Sequence, residues 1–416
     1  MKIVIFADQI PPEGLGGAEQ MAFRLATGMA GARHHVDIVT TTKKASFQDT
    51  RDGVTVHHLH AGYPIRFRAW LSLYNPQTVG PVRRLLEQIK PDVVHAHNVH
   101  LNLSYASLSV ARQLGIPMVL TAHDVMAFAY GKYNHFINPG GCEIKSYRIP
   151  WLYNLRTARL RYNPLRNIII RRILARSVTI RVAVSEALRA ALEANDLPPF
   201  RMIYNGIDPN SFSARPQAVD QLRERLELQD KAVILFAGRL NELKGTKLLL
   251  KALVKIIEVV PNAMILALSA QPWRPNADDD GTIRAIFEKH VRHGGWLSGE
   301  ELVSAFQLSD VLTVPSIHLE PFPTVQLEAM AAAKPIVSSC YGGTAEAIEE
   351  GKTGYVVNPF DTEAYAQRLI NLLVDRSLAQ HMGAAGHQRL LDLFSLERQV
   401  AQTTALYEEA VLSVKS

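Results

Sequence analysis

The sequence predicts an α/β protein with two domains, each a doubly wound parallel sheet, that face a cleft. Three observations support this class. The chain has 416 residues, more than one hydrophobic core normally holds. Short β-branched runs alternate with longer helical patterns throughout, as in parallel strands joined by crossover helices. The alternation restarts after Pro198 and Pro199, which predicts a second sheet.

The elements of the first half follow from this alternation. Strands are predicted at residues 3–7, 36–40, 54–59, 92–95, 118–123 and 182–184, and helices at 18–30 and 103–114. Because ligands of such sheets bind outside the carboxyl ends of the strands, the loops after these strands are the first place to search for a site.

The second half repeats the pattern. Strands are predicted at residues 232–237, 263–268, 311–314, 335–338 and 354–357, and helices at 246–259 and 324–333. From residue 361 to 416 apolar residues recur at three and four spacing, which predicts helices. We place the boundaries of three parts at 1–198, 199–385 and 386–416, the last being helices that can cross back to the first domain.

Charge is distributed unevenly along the chain. Residues 1–200 carry 24 Lys+Arg against 13 Asp+Glu, and residues 201–416 carry 21 against 26. Ten basic residues and no acidic one lie between Glu143 and Glu186. This block indicates an anionic partner. Aromatic residues precede it, so the basic segment 145–181 can meet an anionic membrane surface; a solvated basic helix pair is the alternative.

Other features bear on location and covalent chemistry. No apolar run approaches the ~20 residues of a spanning helix, and the chain opens on a strand pattern. We therefore expect a cytoplasmic protein that can also associate peripherally with the inner membrane face. Cys142 and Cys340 have neither the spacing of a zinc site nor the number of a disulfide framework, so we expect two unpaired thiols.

A glycine-rich turn, PPEGLGGAEQ, follows the first predicted strand. Gly16 and Gly17 would let a phosphate approach the free N–H groups of the following helix. The dinucleotide fingerprint is not met, because Glu19 stands where a small residue is required. A simple turn is the alternative.

The motif GRLNELKG, residues 238–245, lies between a predicted buried strand and a helix. Arg239 offers a planar donor pair and Lys244 a point charge, and two cations at a strand's carboxyl end suit a diphosphate. A solvated loop would be the structural alternative.

The most specific stretch is HLEPFPTVQLEAMAAAKPIV, with Glu320 in a loop and Glu328 on a helix that begins near Thr324. Carboxylates accept paired hydrogen bonds from vicinal hydroxyls, and a helix N-terminus favours an anion. The spacing therefore suits a sugar at one end, a diphosphate in the middle and a ribose at the other. One exposed and one capping Glu is the alternative.

The histidines and the acidic run Asp278 to Asp280 could suggest a metal. The histidines lack accompanying carboxylates or cysteines at ligand spacing, so structural or cleft-lining roles are favoured. We interpret the acidic run as a solvated turn. The sequence thus predicts no metal and no cofactor.

Taken together, the motifs resemble the retaining glycosyltransferases of family 4, also called glycosyl transferase group 1, which have the GT-B fold of two Rossmann-like domains. The resemblance covers nearly the whole chain. It rests on GGAE (16–19), HAHN (95–98), TAHD (121–124), VSEAL (184–188), YNGID (204–208), GRLNELKG (238–245), Glu320 with Glu328, and GGTAE (342–346). No single motif would be specific.

The resemblance implies a role for each matching residue. The N-terminal domain would bind the acceptor and the C-terminal domain a nucleotide diphosphate sugar. Arg239 and Lys244 would contact the diphosphate, Glu328 the ribose and Glu320 the transferred sugar, and Gly17 would approach the phosphates. His123 would lie beside the donor sugar, and His97 and Asn98 on the acceptor side. Backbone amides of Phe322, Thr324 and Val325 would hold oxygens, whereas Pro323, often Gly in the family, has no N–H to donate.

The implied activity is transfer of a sugar to a glycan or lipid-linked acceptor with retention, in cell-surface polysaccharide or glycolipid biosynthesis. Catalysis would come from His123, Arg239, Lys244 and Glu320, without a metal. The alternatives are a nucleotide-sugar hydrolase or epimerase of related fold, or a non-catalytic nucleotide-sugar-binding protein. A nucleic-acid-binding protein is disfavoured by the absence of a groove-reading motif, and a nicotinamide oxidoreductase by Glu19.

Overall fold

The computed structural model of the protein describes residues 1–14, 16–150, 152–275 and 281–415. The chain forms two α/β units. Unit 1 comprises Met1–His135, Ser146–Gly206 and Leu396–Ser416, and unit 2 comprises Phe136–Lys145 and Ile207–Ser395. The chain therefore passes from one unit to the other at 206/207 and 395/396, where the sequence analysis sets its boundaries at 198/199 and 385/386. It also contributes a ten-residue segment of its N-terminal half to unit 2.

The sheet of unit 1 has eight strands. They are β1 (Lys2–Phe6), β2 (His35–Thr42), β3 (Phe47–Arg51), β4 (Val54–His60), β5 (Val93–Ala96), β6 (Met118–Ala122), β7 (Ile180–Ala183) and β8 (Arg201–Met202). Their order is β3-β4-β2-β1-β5-β6-β7-β8. All neighbours are parallel except β3 and β4. Buried Ile3, Ile5, Val93 and Val119 line the centre of this sheet.

Helices connect these strands. They are α1 (Gly17–Gly31), α2 (Arg68–Leu71), α3 (Pro76–Ile89), α4 (Ala106–Gln113), α5 (Tyr153–Ala158), α6 (Arg166–Ser177) and α7 (Glu186–Ala194). Short 3₁₀ turns lie at Ile65–Phe67 and Arg159–Arg161. Asn75 caps α3 and Ser185 caps α7 through side-chain oxygens that accept backbone N–H groups, which satisfies donors that a helix start leaves free.

Unit 2 has a six-stranded sheet in which every neighbouring pair is parallel. Its strands are β9 (Ala232–Ala237), β10 (Ala263–Leu268), β11 (Val291–Gly295), β12 (Val311–Val314), β13 (Ile336–Ser339) and β14 (Gly354–Val357). The order is β11-β10-β9-β12-β13-β14. The predicted class, two parallel-sheet α/β domains, is confirmed.

The described residues of unit 2 form seven helices: α8 (Pro216–Arg225), α9 (Thr246–Val259), α10 (Gly281–His290), α11 (Gly299–Leu308), α12 (Thr324–Ala331), α13 (Thr362–Val374) and α14 (Arg376–Leu393). Turns of 3₁₀ helix lie at Pro209–Phe212 and Glu242–Lys244. The final helix, α15 (Leu396–Lys415), returns to unit 1, where its Val400, Tyr407 and Ala410 join the core that contains α1. Among the described residues, no helix combines the length and the apolar character that a membrane span requires.

Strand positions predicted from the pattern agree closely with those observed, and β9, β10, β12 and β14 match to the residue. Three strands were not predicted: β3, β8 and β11. All three lie at the edge of their sheet, and β3 is also antiparallel to its neighbour. The sequence of β3 is mostly polar and shows no alternation of apolar and polar residues. Edge strands are half solvated, so they lack the continuous apolar run of a central parallel strand.

The expectation of two unpaired thiols is wrong. Cys142 and Cys340 form a disulfide within unit 2, with 5.7 Å between their Cα atoms and a sequence separation of 198. The segment 136–145 packs on unit 2 because the Tyr341 hydroxyl donates to the carbonyl of Asn138 at 2.7 Å and Asn358 Nδ2 donates to that of Pro139 at 2.8 Å. Only this folding brings the two cysteines within bonding range.

Candidate functional site

Unit 2 gathers three loops at one edge of its sheet. They follow β9, β12 and β13, which are adjacent in the sheet and parallel. Because parallel strands end at the same edge, these loops meet there. They contain the predicted residues Arg239, Lys244 and Glu320 and the motif GGTAE.

Glu320 is the centre of this cluster. Its side chain is buried, and its Oε1 accepts from Lys244 Nζ, from Ser316 Oγ at 3.2 Å and faces His318 Nε2 at 3.0 Å. Lys244 is partly buried, with 20% of its side chain exposed. The structure therefore brings Lys244 and Glu320, which are predicted to contact different parts of a ligand, into a direct ion pair.

Two glycines permit this close approach. Gly245 has φ +78°, and a Cβ there would overlap the carbonyl oxygen of Pro315. Gly342 has φ +73°, and a Cβ there would lie 2.5 Å from the Glu320 carbonyl oxygen. The N–H of Gly343 donates to that same oxygen at 2.7 Å. Backbone contacts from two loops thus hold the ion pair.

The remaining predicted residues of unit 2 flank this pair. Arg239 lies two residues after the end of β9 and is exposed; among the described residues no carboxylate pairs with its guanidinium. Glu328 lies buried on α12. The first turn of α12 has no side-chain cap, and its N-cap is Pro323. Phe322 before it is buried, and Thr324 and Val325 are half-buried. The Gln326 N–H donates to the Pro323 carbonyl oxygen at 3.2 Å. Among the described residues, this leaves the N–H groups of Thr324 and Val325 available to an anion.

Unit 1 builds a second polar cluster at the same kind of edge. His97 and Asn98 follow β5, and His123 follows β6, its neighbour in the sheet. His97 Nδ1 and His123 Nε2 are 2.7 Å apart, and Asn98 Nδ2 donates to Asp124 at 3.1 Å. The structure brings these three predicted residues together. His97 and Asn98 also line a pocket, with His100, Tyr105, Thr121 and Asp124.

Burial keeps these histidines neutral. Loss of solvation lowers the pKa of His123 to about 4, against a smaller rise from Asp124, and that of His95 to about 3. The pKa of His97 falls well below its usual range for the same reason. One ring of the His97–His123 pair donates and the other accepts, so the bond needs an unprotonated nitrogen. His97 Nε2 is buried and has no hydrogen-bond partner among the described residues.

Gly16 and Gly17 lie at the start of α1, with Gly16 as its N-cap. A Cβ at Gly16 would collide with the carboxylate of Glu19, and one at Gly14 would lie 2.8 Å from Cγ of the same side chain. Within unit 1, therefore, the glycines make room for Glu19 to fold over the helix start. This is a structural reason for the glycine-rich turn, and it leaves the predicted phosphate contact of Gly16 and Gly17 a prediction.

Sequence reasoning missed several residues of both clusters. In unit 2 they are Ser316 and His318; His318 is fully buried, and its Nδ1 faces the Leu243 carbonyl oxygen at 3.0 Å. In unit 1 they are Asp8 and His100. Burial raises the pKa of Asp8 to about 7 although Leu101 and Leu103 donate backbone N–H groups to it. Their only signal is position, since each follows a strand within a few residues.

Among the described residues, no group of three or more His, Cys, Asp or Glu side chains could hold a metal ion. Asp278 to Asp280, interpreted as a solvated turn, lie outside the described residues. Metal independence stays a prediction.

Two family models match the chain. The model described as Glycosyl transferases group 1 matches residues 219–389, and the model described as Glycosyltransferase Family 4 matches residues 15–211. The two matches fall on separate stretches. One includes His97, Asn98 and His123, and the other includes Arg239, Lys244 and Glu320.

Curated relatives agree with these matches. An uncharacterized glycosyltransferase of Methanocaldococcus jannaschii, MJ1607, is 25% identical over 99% of both chains. Spore coat protein SA of Bacillus subtilis is 30% identical over 50% of this chain, and that match spans 58% of the relative, a little over half its length.

Solved structures share the fold over their full length. Sucrose-phosphate synthase from Thermosynechococcus elongatus has a TM-score of 0.73 at 21% identity, with 99% of each chain covered. Anabaena Alr3699/HepE, solved in complex with UDP and glucose, has a TM-score of 0.68 at 19% identity, with 98% of this chain and 100% of that chain covered. Both likenesses support the GT-B fold, with two domains that are each built on a parallel α/β sheet.

Proposed function

The chain belongs to the group 1, family 4 glycosyltransferases of GT-B fold, and we propose that it transfers a hexose from a nucleotide diphosphate sugar of the UDP or GDP type. The acceptor is a glycan or a lipid-linked acceptor of cell-surface polysaccharide or glycolipid biosynthesis, used at the cytoplasmic face of the membrane. Transfer retains the configuration of the anomeric carbon and needs no metal and no cofactor beyond the donor.

The observation that carries the proposal is the ion pair of Lys244 with Glu320 at the carboxyl ends of β9 and β12. A buried carboxylate accepts hydrogen bonds from vicinal hydroxyls of a sugar. A lysine beside it stabilises the negative charge of a departing diphosphate, which grows as the reaction proceeds. The pair thus carries both functions that the donor half of this chemistry needs.

The neighbouring groups complete a donor site in the proposal. Arg239, exposed on the loop after β9, provides a second cation for the diphosphate, and Gly16 and Gly17 approach the phosphates. Backbone N–H groups at the start of α12, at Thr324 and Val325, bind phosphate oxygens. Phe322 contributes its N–H and its buried ring, and Pro323 shapes the loop without donating. Glu328 binds the ribose hydroxyls.

Unit 1 contributes the acceptor side in the proposal. His123 lies beside the donor sugar in the proposal, where its neutral ring offers a hydrogen bond to a sugar hydroxyl without adding a positive charge to those of Lys244 and Arg239. His97 holds that ring through the 2.7 Å contact. Asn98, whose amide already donates to Asp124, presents its remaining polar atoms to the acceptor.

In the proposed step, the bond between the anomeric carbon and the diphosphate oxygen breaks. A new bond forms from the acceptor hydroxyl oxygen to the same face of that carbon. The hydroxyl proton passes to the departing phosphate, so the products are the glycoside and the nucleoside diphosphate. Lys244 and Arg239 contribute more in the transition state than in the ground state, and their loss should therefore lower turnover as well as affinity.

The ligands bound to one structural neighbour support the proposed class of donor. Alr3699/HepE was solved in complex with UDP and with UDP-glucose. Glycogen synthase of Mycobacterium tuberculosis is 26% identical over 98% of this chain and 94% of that protein. A UDP-type donor is therefore the first to test.

The test measures nucleotide binding and turnover separately. Thermal stabilisation by UDP, GDP, ADP and NAD is recorded for the wild type, for Arg239→Ala with Lys244→Ala, and for Lys251→Ala, an exposed lysine of α9. A ligand of the native state raises the melting temperature. We expect one nucleoside diphosphate to stabilise the wild type and the Lys251→Ala control but not the double variant.

Turnover then separates transfer from its alternatives. Release of nucleoside diphosphate from the matching sugar donor should require an added acceptor, and NMR of the product should give the anomer of the donor. Release without acceptor would indicate a hydrolase or epimerase. Binding without any turnover would indicate a non-catalytic nucleotide-sugar-binding protein, and stabilisation by NAD alone would overturn the donor site.

A further inference from the structure

Unit 1 carries an unusual concentration of exposed apolar side chains. Of the fifteen large hydrophobic residues exposed in the described chain, eight lie in residues 65–74 and 155–168. They include Ile65, Phe67, Trp70, Leu160, Leu165 and Ile168, and Leu160 is fully exposed. Scattered apolar residues on a surface need no explanation, but a cluster of this kind marks an interaction site.

The two segments adjoin. Asn163 Nδ2 donates to the carbonyl of Ala69 at 3.0 Å, and that asparagine is itself buried. Arg166 is buried too and donates to the carbonyl of Met126, so the start of α6 is anchored inside unit 1. The backbone that carries the exposed side chains is therefore anchored to the core of unit 1. We call the surface of residues 65–74 and 155–176 the basic apolar face.

The face has no acidic residue. None lies between Asp52 and Glu87 or between Glu143 and Glu186. Exposed arginines accompany the apolar side chains, among them Arg156, Arg161 and Arg172, for which no carboxylate lies within ion-pair distance in the described part of the chain. Exposed apolar side chains beside unpaired arginines suit a partner surface that is both apolar and negatively charged.

We propose that the basic apolar face seats unit 1 on an anionic phospholipid bilayer. Arginines attract the headgroups, Trp70 occupies the headgroup level that amphipathic rings prefer, and the aliphatic side chains enter the acyl boundary. Aliphatic residues such as Leu160 and Ile168 gain nothing from a phosphodiester backbone, so a bilayer accounts for the face better than a nucleic acid does. The basic apolar face contains no residue of the proposed donor site. Membrane binding can therefore be tested independently of the transferase activity.

The test is sedimentation of the purified protein with vesicles of phosphatidylcholine alone and of phosphatidylcholine mixed with phosphatidylglycerol, at low and high salt. We expect binding to the anionic vesicles that weakens with salt. The charge variant Arg156→Ala, Arg161→Ala and Arg172→Ala should bind on the order of 100-fold more weakly, about fivefold per charge. Its matched control, Lys251→Ala, Lys289→Ala and Arg376→Ala on unit 2, should bind like the wild type.

A second variant tests the apolar part of the face. Trp70→Ser with Leu160→Ser should lose binding and should also make the residual binding more sensitive to salt, whereas Val374→Ser with Leu391→Ser, exposed in unit 2, should not. Melting curves identify any variant that fails to fold, and nucleotide-induced stabilisation shows that the donor side is intact. Failure of the wild type to sediment with anionic vesicles, equal binding to phosphatidylcholine alone, or competition by RNA that abolishes binding would each overturn the proposal.

Discussion

Both units place polar residues in the loops at one edge of a parallel sheet, but the cluster of unit 2 is charged and the histidines of unit 1 are neutral. In unit 2 the loops after the adjacent strands β9, β12 and β13 assemble an ion pair, Lys244 with Glu320. In unit 1 the loops after the adjacent strands β1, β5 and β6 assemble Asp8, His97 and His123, and burial lowers the pKa of both histidines.

The difference follows from how far each group is removed from water. Lys244 keeps part of its side chain in solvent and has a carboxylate partner, so a charge is tolerated. His95, His97 and His123 are surrounded by protein. As neutral rings, His97 and His123 share a hydrogen bond, and His95 contacts the hydroxyls of Thr121 and Tyr407. Strand ends thus position the polar groups, and local desolvation decides whether these groups carry charge.

The largest effect should come from breaking the charged cluster. Lys244→Ala removes the cation that balances Glu320 and, in the proposed reaction, the leaving diphosphate. We expect kcat/KM to fall by about 10²- to 10³-fold, the effect of losing one preorganised electrostatic group. Steady-state kinetics with the donor identified by thermal stabilisation provides the measurement. Lys251→Ala is the control, and an unchanged kcat in Lys244→Ala would contradict the role.

Next comes the backbone that holds the pair. Gly342→Ala adds a Cβ against the Glu320 backbone and strains a residue at φ +73°, and together these should lower the free energy of unfolding by about 3 kcal/mol. Gly351→Ala is a matched control, because Gly351 has φ +74° with nothing within 4 Å of the added Cβ. It should cost only the backbone strain, about 1 kcal/mol. Equal losses in urea unfolding would show that close approach to Glu320 does not matter.

Unit 2 also has a covalent constraint close to its cluster, since Cys340 follows β13 and is two residues before Gly342. Cys142→Ser removes the bond that closes a loop of 198 residues in sequence, and we expect a loss of about 2 kcal/mol. Adding Cys340→Ser should change stability little further, and reductant should lower wild-type stability equally. Two reactive thiols in the unreduced native protein would show that the bond is absent.

The smallest effect should come from the histidines of unit 1. A folded pKa of about 4 for His123 means that the unfolded state binds a proton first as pH falls below 6.5. Stability is therefore lost between pH 6.5 and 4. Asp8, with its pKa raised to about 7, acts in the opposite direction, because its contribution is lost as pH rises from 3.8 to 7.

The comparison of variants isolates the histidine. Between pH 6.5 and 5.5 the wild type should lose about 1 kcal/mol more than His123→Asn does. His381→Asn, at an exposed position of α14, should follow the wild type. Parallel stability curves for His123→Asn and the wild type, from urea unfolding at each pH, would rule out a strongly shifted His123.

Sequence alone determined the class of fold and the loops that carry the chemistry. Buried parallel strands read as continuous apolar runs, so β9, β10, β12 and β14 could be predicted to the residue, and the residues just after them were the right place to search. The edge strands β3, β8 and β11 carry no such run and were missed.

Tertiary structure alone decided which of those residues meet. Nothing in the spacing of Lys244 and Glu320 predicts their ion pair, because it depends on strand order and on the backbone approach that Gly245 and Gly342 permit. Cys142 and Cys340 were expected to be unpaired, and they bond because residues 136–145 pack into unit 2. The pattern of apolar and polar residues along the chain reflects only the periodicity of local structure. Contacts between residues far apart in sequence depend on how the sheets and loops pack.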